Sequence, residues 1–205
     1  MVKLISITPD AENLVAYCAR VSSKNQDNPN IQKLLEYCIK HEHWSVFETA
    51  YITIEIETSR AISAQILRHR SFTFQEFSQR YAEVPDFITY KARRQDKKNR
   101  QASIDDMKFE DRHWFDIAQD RVQSLTAALY LDALDRGIAK EQARFLLPMS
   151  SKTKLYMTGN IRSWIHYLDL RSKWDTQKEH RDIAIEIKEI LKKELPIISK
   201  AVKWM

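Results

Sequence analysis

The 205 residues fit one domain spanning residues 1–205, and 43% hydrophobic against 30% charged residues excludes general disorder. Only two glycines are present, Gly137 and Gly159, against a typical ~7%; this excludes both a three-glycine dinucleotide fingerprint and a P-loop, so nucleotide phosphates would be met by side chains. The net charge of +5 suits anionic small molecules as well as nucleic acid.

Residues 2–8 read as a short strand, after which Pro9-Asp10 opens a helix to about Val21 with Asp10 as its N-cap. Leu14, Cys18 and Val21 form its apolar stripe. Residues 22–29 are polar and read as a loop. Ile31, Leu34, Leu35, Cys38 and Ile39 take the i, i+3, i+4, i+7, i+8 spacing of an amphipathic helix. Two cysteines on such stripes are too few for a disulfide framework or a zinc cluster and read as buried thiols. From Tyr51 to Glu57, Ile52, Ile54 and Ile56 alternate with Thr53, Glu55 and Glu57, the pattern of a half-buried strand. Ser59 can cap a helix over about 60–70. Residues 71–90 are mixed, with Phe72, Phe74, Phe77 and Tyr81, then Pro85.

Residues 91–100 carry six basic residues and one acid, a solvated loop or a mobile flap over an anionic site. A long helix over about 108–136 stops at Gly137, and a shorter one ends at Pro148. Lys154–Thr158 is strand-like, and Asn160 caps a helix carrying Ile161, Trp164, Ile165 and Leu168. The charged helix over 175–195 has Ile183, Ile187, Ile190 and Leu191 on one face. The economical fold is α+β, a mostly antiparallel sheet flanked by helices. No apolar run approaches ~18 residues and the N-terminus has no signal-peptide core, which points to a reduced, cytoplasmic protein without a membrane partner.

The densest polar cluster runs from Arg68 to Tyr81. Gln65, Arg68 and His69 stand at i, i+3 and i+4 and share a face at a helix end. If 75–81 is extended, Glu76, Ser78 and Arg80 point one way and Gln75, Phe77 and Gln79 the other. Cations, a carboxylate and a hydroxyl around one space suit a ligand with a phosphate and a ring. The plainer reading is that these cations cap helix carbonyls.

Arg68-His69-Arg70, seven residues, then Ser78 resembles the RHR-x7-S signature of the flavin-dependent thymidylate synthases, with Glu76, Arg80 and Tyr81 in step. Ala19-Arg20-Val21-Ser22-Ser23 is similar to that family's ARVS segment, and His43-Trp44-Ser45-Val46-Phe47-Glu48 to its H-x-[ST]-x-F-E segment. Ala143-Arg144-Phe145-Leu146-Leu147-Pro148 resembles its AR-x-x-LP motif. Asn160-Ile161-Arg162 through His166 to Leu170-Arg171 is similar to its N-x-R-x-x-x-H-[FY]-L-x-x-R helix.

The resemblance implies a homotetramer that binds FAD, dUMP and 5,10-methylenetetrahydrofolate at subunit interfaces, with NADPH re-reducing the flavin. It places Ser45, Arg68, His69, Arg70, Glu76, Asn160, Ile161, Arg162 and His166 on FAD. It places Gln65, Arg68, Glu76, Phe77, Ser78, Gln79, Arg80, Arg144 and Arg171 on dUMP, and makes Arg171 the catalytic residue. Arginines meeting two anionic ligands agree with the missing glycine cradle. Arg162 and His166, at i and i+4, can face one ligand. With both cysteines in the core, a guanidinium from Arg171 against the uracil would replace thiolate addition in activating C5.

Ser78 invites a nucleophile role, yet Glu76 and Arg80 are its neighbouring titratable groups and neither is an obvious base, so it reads as a hydrogen-bond donor to phosphate. His41, His43, His113 and His180 form no metal set. His43 either touches flavin or folate, as the resemblance implies, or caps a turn. A reading of a different class is a nucleic-acid-binding module that uses the 91–100 run for phosphates and the 72–81 aromatics for stacking.

Overall fold

The computed structural model describes residues 1–83 and 86–204, so Pro85 lies outside the described residues. The chain runs β1 (Val2–Ile7), α1 (Ala11–Ala19), α2 (Gln32–Lys40), a 3-10 turn at Trp44–Glu48, β2 (Tyr51–Ser59), α3 (Arg60–Ile66) and β3 (Thr73–Glu76). It continues through β4 (Arg94–Gln95), β5 (Ser103–Ile104), α4 (Phe109–Asp135), α5 (Lys140–Ala143) and a 3-10 turn at Arg144–Leu146. β6 (Lys152–Asn160), α6 (Ile161–Arg171), α7 (Lys178–Glu194) and α8 (Pro196–Ala201) complete it.

The expected α+β architecture is present. Four antiparallel strands form a sheet in the order β1-β2-β6-β3, with helices packed against it. Alternation in β2 does what the pattern predicts: Ile52, Ile54 and Ile56 are fully buried and pair with Gly159, Met157 and Leu155. The intervening residues form a charged face, where Lys154 bridges Glu55 at 3.6 Å and Glu57 at 3.4 Å, and Lys152 reaches Glu57 at 3.2 Å. These lysines hold the Glu57 carboxyl below its usual range. Over the apolar face, Trp164 of α6 donates from Nε1 to the Ile52 carbonyl at 3.2 Å, and Phe72 meets Trp164 edge-on at 4.8 Å.

Three local expectations are corrected. Asp10 does hold the N-cap position of α1, its carbonyl accepting from Leu14 N at 3.0 Å, but its backbone is left-handed (φ 51°) and its carboxylate accepts from the Asn13 side chain at 2.7 Å instead of from the helix N–H groups. The helix after Ser59 stops at Ile66 rather than 70, and Ser59 accepts from Tyr90 Oη instead of capping. The 91–100 run is part hairpin and part loop: Arg94–Gln95 pairs with β5, and Lys91–Asp105 (2.8 Å), Arg94–Asp106 (2.6 Å) and Arg93–Glu179 (2.5 Å) match three of its cations, while Arg100 lines the cavity that also holds Arg171.

Candidate active site

α6 carries functional groups at both ends and packs along its middle. Asn160 caps it as expected, its Oδ1 accepting from Ser163 N at 2.9 Å. Trp164, Tyr167 and Leu168 face the core, which leaves Arg162 and His166 on the outer side. Arg162 pairs with Glu48, and His166 meets Trp44 edge-on at 4.7 Å. The H-x-[ST]-x-F-E segment and the outer face of α6 therefore lie together, with Ser45 exposed beside them. Ile161 is fully buried and donates its N–H to the Ala50 carbonyl at 3.0 Å. His43 precedes the 3-10 turn without capping it and lies edge-on to Tyr37 at 5.7 Å.

The second group is built by the turn after α3. Successive bonds from Arg68 N to Gln65 O (3.4 Å), His69 N to Ile66 O (3.1 Å) and Phe72 N to His69 O (3.1 Å) fold back residues expected to continue the helix. Gln65, Arg68 and His69 nevertheless converge, and with Arg171 and Gln177 they line a cavity of about 660 Å³. Arg171 Nε donates to His69 Nε2 at 2.9 Å. A ring nitrogen that accepts must be unprotonated. Burial, reinforced by the Arg171 charge, pushes the His69 pKa down to about 4, so the imidazole is a neutral acceptor at physiological pH. The Nη atoms of Arg171 have no protein partner among the described residues.

Behind this pair lies a residue that the sequence reading set aside. His180 of α7 is fully buried, shares a 3.0 Å hydrogen bond with Tyr167 Oη, and lies 6.0 Å ring to ring from His69. Burial, then the Arg171 and His69 charges, push its pKa down to about 3. The signal was present in the sequence: His180 falls in the helical register of Ile183 and Ile187, on the stripe that enters the core.

The third group surrounds Glu141. Strand β3 ends at Glu76, so the face-by-face alternation expected through Arg80 is not present. The Glu76 carboxylate is enclosed by Arg60 Nη1 (2.6 Å), Ser63 Oγ (2.5 Å) and Thr153 Oγ1 (3.0 Å). Phe77 is half-buried and Gln79 is buried. Ser78 Oγ accepts from Arg80 N at 3.4 Å and has neither a histidine nor a carboxylate partner among the described residues. Arg80 pairs with Glu141 at 3.6 Å, and Arg144 Nε donates to the Glu141 carbonyl at 3.2 Å. Neither arginine lines the cavity of Arg171. Arg68 and Arg70 are exposed and meet no carboxylate among the described residues.

One motif element has a structural partner set. Arg20 of the ARVS segment donates to the Asn28 and Asn30 carbonyls at 2.5 and 2.7 Å, folding the 22–30 loop against α1. Both cysteines are unpaired; burial raises the Cys38 thiol, Cys18 is half-buried, and neither lines the cavity. Of the residues on which the nucleic-acid reading rests, Phe72 is a core residue and Lys91, Arg93 and Arg94 are paired, while Tyr81 is exposed and Lys97, Lys98 and Arg100 form no ion pair among the described residues. Among the described residues, no three His, Cys, Asp or Glu side chains gather to hold a metal, and no helix is long and apolar enough to cross a membrane.

A cavity with an arginine locked on a neutral histidine and no thiol agrees with the motif resemblance, and residues 3–197 match the model of the family described as thymidylate synthase complementing protein. The chain belongs to this family, the flavin-dependent thymidylate synthases. It is 53% identical over 193 residues to the flavin-dependent thymidylate synthase of Synechocystis sp., covering 94% of this chain and 90% of that one. It is 52% identical to the probable flavin-dependent thymidylate synthase of Paramecium bursaria Chlorella virus 1, covering 99% of both. Among solved structures it is similar to a UMP/dUMP methylase, PolB from Streptomyces cacaoi, bound with 5-Br dUMP. The TM-score is 0.89 at 26% identity, covering 99% of this chain and 94% of that one. This flavin-dependent thymidylate synthase is thus a methyltransferase that carries no thiol at the cavity.

Proposed function

We propose that the chain, a single domain over 1–205, works as a cytoplasmic homotetramer that methylates dUMP to dTMP with 5,10-methylenetetrahydrofolate. The observation that carries this reading is Arg171, a half-buried guanidinium whose Nε is fixed on neutral His69 at the cavity wall. Its unpartnered Nη atoms are the donors for the uracil N3 and O4. Positive charge there stabilises the ring deprotonated at N3 and raises electron density at C5, which attacks the one-carbon unit. His69, an acceptor at physiological pH, orients the guanidinium rather than transferring a proton.

The donor set fits FAD. Arg68 and Arg70 are exposed cations without carboxylate partners among the described residues, as a pyrophosphate requires where no glycine cradle exists. Ser45, His69, Glu76, Asn160, Ile161, Arg162 and His166 complete the set, with Arg162 already oriented by Glu48. When bound, FAD supplies the hydride that completes the methyl group, with NADPH as the source of electrons. Gln65, Arg68, Glu76, Phe77, Ser78, Gln79, Arg80 and Arg144 hold dUMP with Arg171, and Ser78 serves as a donor to phosphate. Exposed His43 is left for flavin or folate.

Two features support assembly. The dUMP arginines 80 and 144 lie outside the cavity of Arg171, and α4 presents Phe109, Trp114, Val122, Leu125 and Leu131 to solvent. The test is direct. Purified protein should take up FAD with visible flavin absorbance and form dTMP from dUMP, methylenetetrahydrofolate and NADPH. Protein that stays colourless with excess FAD overturns the reading.

A further inference from the structure

A chain of four side chains runs from the basic hairpin to the cavity. Arg93 Nη2 donates to Glu179 Oε1 at 2.5 Å, and the two side chains are only 13% and 14% exposed. Arg93 Nε also donates to Ser103 Oγ at 2.8 Å, which fixes the guanidinium to the opposite strand of the hairpin. The second carboxylate oxygen, Glu179 Oε2, accepts from Gln177 Nε2 at 3.0 Å. Gln177 Oε1 then accepts from Gln65 Nε2 at 2.6 Å. Gln65 and Gln177 line the same cavity as Arg171.

The direction of this chain is dictated at its buried end. A carboxylate only accepts. Burial raises the Glu179 carboxyl, but hydrogen bonds from Arg93, its own backbone N–H and Gln177 more than offset this and hold it below its usual range. Its place in the first turn of α7 also favours the anion. Gln177 must therefore turn its NH2 toward Glu179, which leaves its carbonyl oxygen facing Gln65. Gln65 must in turn offer its NH2 to Gln177, and its own amide oxygen is left over. That oxygen has no protein partner among the described residues.

We propose that Glu179, clamped by Arg93, is a positioning residue of the active site: through Gln177 it fixes the direction of the Gln65 amide, so that the nucleotide meets an oriented acceptor there. The inference rests on reading the cavity as the dUMP site. With glutamine at 179, Arg93 keeps the amide oxygen and the new NH2 faces Gln177, so Gln177 reverses and Gln65 can present its oxygen to the cavity only by turning against the chain. Affinity then falls because the ligand must order what the protein had already ordered.

The test uses FAD-loaded enzyme carrying Glu179→Gln or Gln177→Ala, each alone and in a Gln65→Ala background. The readouts are dUMP Kd by calorimetry and steady-state KM and kcat. Each single variant should raise Kd and KM for dUMP roughly five- to tenfold, with kcat within about twofold. Neither should add to the loss already produced by Gln65→Ala. Glu179→Gln breaks a nearly buried ion pair and is expected to lower the melting temperature. Gln177 is exposed, so Gln177→Ala cuts the chain with the ion pair intact. Additive losses in the double variants, or a fall in kcat at unchanged affinity, overturn the relay. Wild-type enzyme without saturable dUMP binding overturns the dUMP reading beneath it, whereas wild-type binding with additive variants overturns the relay alone.

Discussion

Burial, reinforced by the Arg171 charge, keeps the two neighbouring histidines unprotonated. The guanidinium needs an acceptor for its Nε and the cluster tolerates no second cation, so His69 and His180 are both held neutral. Tyr167, itself buried with its hydroxyl pushed to higher pKa by burial, bonds His180 on the core side. This arrangement has a cost in acid. The folded His180 pKa is about 3 against 6.5 for the ordinary group. Between those values the unfolded chain takes a proton that the folded chain refuses. Stability is therefore complete above pH 6.5 and is lost as pH falls toward 3, by up to about 1.4 kcal/mol per pH unit from this residue. His69 acts in the same direction, over 6.5 to about 4. His180→Gln keeps an amide for Tyr167 Oη and cannot titrate. Urea unfolding at pH 7 and pH 5 should show wild type losing about 2 kcal/mol more than the variant across that interval. Equal losses would refute the assignment.

At the scale of elements, what the sequence revealed depends on whether the deciding partner is near in the chain. Alternation in β2, the Asn160 cap and the Gly137 stop of α4 are local signals, and each is present as read. The stop of α3 is not local: Leu67, Arg68, His69 and Arg70 are acceptable helix formers, and the chain turns so that Phe72 can enter the core against Trp164. The hairpin at 91–104 was hidden for the same reason, since its cations find acids at 105, 106 and 179. The Glu76 network is likewise non-local: besides any ligand, its carboxylate joins Arg60, Ser63 and Thr153, of which Thr153 is 77 residues away. In a chain so poor in glycine, the role of Gly159 is informative. A Cβ there would lie 2.4 Å from Phe72 Cδ1 and 2.5 Å from Cε1. The central strand β6 thus leaves out a side chain to admit the ring that follows the α3 turn. Gly159→Ala should destabilise the fold by about 1–3 kcal/mol through overpacking, read as a lower urea midpoint at unchanged slope. Phe72→Leu in the same chain should recover part of the loss, whereas full wild-type stability of Gly159→Ala alone would show that the ring gives way freely.

For the whole molecule, the question is where each site is completed. One protomer gathers Gln65, Arg68, His69 and Arg171 around a cavity and gathers Arg80 and Arg144 around Glu141, with neither of the latter lining that cavity. On the proposed reading, the nucleotide's phosphate needs the second set and its uracil the first. Exposed apolar side chains continue beyond α4 to Phe145 and Met149, next to Arg144, so the face carrying the second set is also suited to contact another chain. The proposal that each site draws on two chains can be tested by complementation. Arg80→Ala and Arg171→Ala should each be nearly inactive alone. They are mixed one to one after reversible dissociation and allowed to reassemble. If the two arginines of a site come from different chains, a site is intact when its Arg80 comes from the Arg171→Ala parent and its Arg171 from the Arg80→Ala parent. Random closed assembly meets both conditions in roughly a quarter of sites, and activity should return to that fraction of wild type. If they come from the same chain, every site keeps one lesion however the chains are shuffled. Background activity from verified mixed oligomers would refute the shared site, while FAD uptake by both parents would leave the flavin assignment standing.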